Sequence, residues 1–117
     1  MLDVQSSLAN LQWTVDHHFL HIQNQHPFMR AWAVQFELAY TDFRVIQLAL
    51  QLAGEHDLLA QFTKIYDQLY TFEYAFAADG LEGFNAKFGD QLTTYADTVK
   101  AFDAIIPTIA AHQVTNN

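Results

Sequence analysis

Apolar residues return at alternating steps of four and three along nearly the whole chain. That is the seam period of packed helices, and no stretch alternates strictly at two, as a half-buried strand would. The first run is Val4, Leu8, Leu11, Val15, His18 and Ile22, which predicts a helix over 2–24. Asn24-Gln25-His26-Pro27 interrupts it. Proline suits the first turn of a helix, where its missing N–H costs nothing, so a second helix is expected over 27–53. Gly54 is a natural residue just past its end. A third helix is predicted over 57–78, with Asp57 as N-cap and the seam Leu58, Phe62, Ile65, Leu69, Phe72, Phe76. Asp79-Gly80 makes the next turn. A fourth helix is predicted over 81–112 on Leu81, Phe84, Phe88, Leu92, Tyr95, Val99, Phe102, Ile106 and Ile109.

That last helix carries interruptions. Gly83 and Gly89 each weaken it by about 1 kcal/mol, and Asp90 is placed to cap a fresh start. Pro107 removes a backbone hydrogen bond and clashes with the carbonyl four residues back. A break is therefore expected near Gly89 and near Pro107. Short connections force neighbouring helices antiparallel. The fold expected is an all-α, up-down-up-down four-helix bundle, one domain over 1–113 with a frayed tail over 114–117.

The second helix has two apolar faces. One seam runs Trp32, Phe36, Ala39, Phe43, Ile46, Leu50, Ala53; the other runs Val34, Leu38, Thr41, Val45, Leu48, Leu52. At about 100° per residue the two lie nearly opposite each other. A helix in a monomeric bundle buries one stripe. The second leaves a contiguous apolar patch of the kind that marks an interaction site, unless the helix sits centrally among the other three. Val34, Leu38, Val45, Leu48 and Leu52 are accordingly the expected contact residues, for a second copy or for another protein.

Composition sharpens this reading. Of 117 residues, 51% are hydrophobic, 15% aromatic and 15% charged, with Asp+Glu 13, Lys+Arg 5 and a formal net charge of −8. Disorder is excluded, because disordered chains are poor in apolar and aromatic residues. Nucleic acid and anionic membrane surfaces are disfavoured as partners, since Arg30, Arg44, Lys64, Lys87 and Lys100 are dispersed rather than clustered. Residues 31–54, the most apolar stretch, hold Glu37, Asp42 and Arg44 and do not read as a membrane span. The opening residues lack the basic and apolar regions of a secretory leader, and a cytoplasmic location is expected. With no cysteine there is neither disulfide nor thiolate chemistry.

The histidines give the candidate chemistry. His17 and His21 are four apart, so they share one helix face and can chelate a metal ion. A site of this kind wants a third ligand, and the bundle topology offers Glu73 or Glu82 at that level. His18 occupies a seam position and reads as a neutral core histidine. The residues three after each Glu are Tyr40, Leu58, Phe76 and Asn85, so the Glu-x-x-His pairs of a di-metal carboxylate bundle are missing. Tyr66, Tyr70 and Tyr74 recur four apart and are expected to roof the core with their hydroxyls in water. No phosphate loop, nucleophile elbow or HExxH motif occurs, and no catalytic residue or cofactor is expected. The leading expectation is a non-enzymatic protein–protein interaction module with a regulatory, inhibitory or structural role. The alternative is a small-ligand- or metal-binding bundle using His17, His18 and His21.

Overall fold

The computed structural model describes the backbone of residues 4–114 and the side chains of 4–112. Four helices follow one another: α1 (Gln5–Gln23), α2 (Arg30–Leu52), α3 (His56–Phe88) and α4 (Leu92–Val114). Contacts join α1 to α2, α2 to α3, α3 to α4 and α4 back to α1, which is the adjacency of a four-helix bundle. The 4–3 seams make the core: Val4, Leu8, Leu11, Val15 and Ile22 from α1, Trp32, Phe36, Ala39, Phe43, Ile46 and Leu50 from α2, and Phe84, Tyr95, Val99, Phe102, Ile106 and Ile109 from the last third of the chain are all buried.

The helix ends depart from expectation in instructive ways. Pro27 lies outside α2, which begins at Arg30 after an extended Met29 (φ −116, ψ 142). Phe28 is the reason: it packs edge-on against Trp32 and Phe76, and this burial fixes the incoming chain in extended form. At the start of α3 the N-cap is Glu55, without a side-chain cap bond, and Asp57 falls inside the first turn. Gly54 ends α2 as expected, at φ 75, with its N–H donating to Gln51 and that of Glu55 to Leu50. This is the paired-bond helix stop that a left-handed residue permits. Helix α1 stops the same way on Gln25 (φ 58), whose N–H reaches Ile22 while His26 N–H reaches His21.

The turn expected at Asp79-Gly80 is present, as a sharp kink that divides α3 into two helical segments and brings the Phe88 ring within 5.1 Å of that of Phe72. Gly80 alone leaves helical geometry (φ 72, ψ −172), and the helix resumes to Phe88. The break expected near Gly89 is present: α3 ends there and α4 starts at Leu92, so the restart comes after Gln91 rather than directly on Asp90. The break expected near Pro107 is absent, because Pro107 sits inside α4, which continues to Val114. Pro107 is exposed, where water can satisfy the carbonyl it orphans. Of the expected tail, Val114 closes α4 and 115–117 lie outside the described residues.

Candidate functional site

The outer stripe of α2 lies open. Val34 is 56% exposed, Leu38 61%, Leu48 49% and Leu52 71%, while the opposite stripe of the same helix is buried. Val45, between them, is half-buried. The packing of α2 falls on α1 and α3, so a central placement among three helices is not how the fold covers the second seam. Met29, Tyr40 and Tyr74 add to the exposed apolar surface at the N-terminal half of α2. The tyrosine row divides: Tyr66 is fully buried with its hydroxyl, against expectation, while Tyr70 is half-buried against the core beside Phe36 and Tyr40, and Tyr74 is exposed.

Tyr66 is inside because it belongs to a second 4–3 run on α3, Phe62, Tyr66, Leu69, Glu73, Phe76, all buried. The same run takes Glu73 into the core. His18 Nε2 lies 3.0 Å from Gln35 Oε1, so the ring nitrogen donates there and Nδ1 keeps its lone pair. Nδ1 sits 3.9 Å from Glu73 Oε1. Both Glu73 oxygens and the hydroxyls of Tyr66 and Tyr95 find no hydrogen-bond partner among the described protein atoms. Burial pushes the Glu73 carboxyl up to about 8. Burial also holds His18 down at about 4, against the bond to Gln35, with the charges of His17 and His21 adding to the depression. Both tyrosines are raised by burial and secondarily by the Glu73 charge. At neutral pH this centre is therefore an uncharged carboxylic acid beside an uncharged imidazole. A buried hydroxyl without a partner contributes nothing to the fold, so Tyr95→Phe is expected to hold or raise the melting temperature. A clear drop would reveal a partner for that hydroxyl.

A pair of carboxyls, Asp16 and Asp103, joins α1 to α4. Gln12 Nε2 donates to Asp103 Oδ1 at 3.2 Å. Asp16 is raised to about 7 by burial first, then by its hydrogen bond to Asp103 and by that carboxylate's charge.

His17, His21 and His26 form a row on the face of α1 next to His18, with the His17 ring 6.5 Å from that of His18. His17 Nε2 lies 2.9 Å from His21 Nε2, and His21 Nδ1 lies 2.8 Å from His26 Nδ1. Trp13 stacks on His17 at 4.4 Å, and Trp32 stacks on His21 at 4.0 Å. Neither carboxylate expected as a third ligand joins this row. Glu73 is buried against His18 instead, and Glu82 is exposed on the far segment of α3, in a groove with Pro27, Phe28 and Asp79. Among the described residues no three His, Asp or Glu side chains converge on one point. His112 lies at the other end of the bundle, 3.9 Å from Glu55.

Compared with protein-family models, with curated proteins and with solved structures, the chain matches none. No helix among the described residues is long and apolar enough to cross a membrane.

Proposed function

We propose that this protein is a small acidic interaction module, cytoplasmic and non-enzymatic, that pairs with a second copy of itself through the outer stripe of α2. The observation that carries the reading is that stripe: aliphatic side chains at coiled-coil spacing, with Val34, Leu38, Leu48 and Leu52 about half or more exposed, on a helix whose other side is already satisfied. Val34, Leu38, Thr41, Val45, Leu48 and Leu52 repeat at steps that read the same from either end. Two copies laid antiparallel bring Leu38 opposite Leu48 and Val34 opposite Leu52, the self-complementary contact that a two-fold dimer requires. Each of the four exposed aliphatic side chains gains about half of the roughly 1.5–3 kcal/mol of full burial, part of which offsets the loss of free tumbling on association.

Leu38→Asp with Leu48→Asp tests it. Both side chains are exposed in one copy, so helicity and melting at low concentration are expected to persist. Light scattering during size-exclusion chromatography is expected to give a dimer for the wild type and a monomer for the double variant. A wild type that stays monomeric at high concentration overturns self-pairing.

A further inference from the structure

We infer that His17 and His21 form a chelate for a divalent transition-metal ion that favours right-angled coordination, copper or nickel, with His26 holding His21 in place. The inference goes beyond pairing through α2 and does not depend on it. Neither ring is fully buried, so an ion can reach them from solvent. Their Nε2 atoms are 2.9 Å apart. Two metal–nitrogen bonds of about 2.0 Å meeting at a right angle span about 2.8 Å. The tetrahedral angle opens that edge to about 3.3 Å for the same bond length. The two nitrogens are already within the edge of one coordination sphere, and nitrogen donors bind copper and nickel more tightly than most other divalent ions.

The row also supplies what orients a metal-bound imidazole. A ligating histidine normally gives its other ring N–H to a neighbouring acceptor, which fixes its tautomer and rotation. His21 Nδ1 has that acceptor in His26 Nδ1 at 2.8 Å. With the proton on Nδ1, the His21 Nε2 lone pair points at His17. His26 is there because the chain reverses at Gln25 and its own N–H is tied back to the carbonyl of His21. Trp13 and Trp32 clamp the two rings from outside and inside. Without metal, the 2.9 Å contact is a hydrogen bond in which His17 donates from Nε2. Binding requires that proton to sit on His17 Nδ1 instead, and both rings to turn so that their Nε2 lone pairs meet on an ion lying off the N–N line; no net proton is released from neutral rings. No third His, Asp or Glu converges there among the described residues, so the remaining positions belong to water. Affinity is that of a two-imidazole chelate, and acid releases the ion by protonating the rings.

The test uses the full chain purified without a histidine tag and stripped with chelator. Isothermal titration is run with copper, nickel and zinc chlorides, alongside tryptophan fluorescence. The expected result is one ion per chain, in the order copper, nickel, zinc, with copper quenching the emission of the two tryptophans stacked on the ligands. His17→Ala and His21→Ala are each expected to weaken binding at least tenfold. His26→Ala is expected to weaken it about tenfold while keeping the stoichiometry. His112→Ala, at the other end of the bundle, leaves it unchanged. Helical circular dichroism of each variant separates lost ligation from lost folding. Copper or nickel bound equally well by the His17→Ala/His21→Ala double variant overturns the inference, as does binding no tighter than that of free imidazole.

Discussion

Replacing Glu73 with Gln is expected to make the protein more stable at pH 8 and to flatten its stability against pH. In the fold the Glu73 carboxyl is held up at about 8 by burial, against an ordinary value of 4.5. Below pH 4.5 the folded and unfolded chains both carry that proton, so the group has no effect. As pH rises from 4.5 toward 8 the unfolded chain releases the proton and the folded chain retains it, so stability falls across that window and levels off above it. At about 1.4 kcal/mol per pH unit the loss is on the order of several kcal/mol. His18 acts in the opposite sense. Held at about 4 against 6.5, it is neutral in the fold, and stability is lost as pH falls from 6.5 toward 4. Asp16, raised to about 7, adds to the Glu73 trend. The wild type is therefore expected to melt higher at pH 5 than at pH 8. Most of that difference should vanish in Glu73→Gln, which keeps shape but not the proton. Denaturant unfolding at pH 5, 6.5 and 8 measures both. A Gln variant that is less stable than wild type at pH 8 would mean that Glu73 is ionised in the fold and has a cationic partner.

The second large effect concerns Gly83. By helix propensity alone, Gly83→Ala should stabilise the chain by about 1 kcal/mol. The fold reverses that sign. Gly80 takes φ 72, ψ −172, a region that glycine nearly alone adopts, and the kink folds the following turn back on the preceding one. A methyl group on Gly83 would then fall on the Cβ of Asp79. Cβ is fixed to the backbone, so no rotamer relieves the contact and the turn must open. Overpacking of this kind costs about 1–3 kcal/mol, and a drop in melting temperature is expected. An increase would show that the segment after Gly80 shifts freely.

The two effects mark the division between what the chain spells out and what packing adds. The 4–3 repeat of apolar residues determined the helices, their order and most of the core, because burying a stripe is what a helix in water must do. It also exposed the second stripe of α2, since two opposite apolar faces cannot both meet a single bundle. It placed the Gly54 stop and the break at Gly89 through backbone preferences that act within a few residues. Local preference failed where a distant contact outweighed it. Pro27 stays outside α2 because Phe28 packs on Trp32 and Phe76. Pro107 stays inside α4 for a different reason, its exposed position, where water can take the orphaned carbonyl.

The polar sites were harder to read. Glu73 was legible as a carboxylate at the level of the histidines, but not as a buried acid facing His18 in place of His17 and His21. The clue lies in the run Phe62, Tyr66, Leu69, Glu73, Phe76, which carries Glu73 inward on its neighbours' periodicity. His26 looked like a loop residue. Only the left-handed turn at Gln25 returns it to His21. Periodicity acts along one helix and is written in the chain. Which polar atom meets which across helices depends on their rotation and level, and those are fixed only when all four pack.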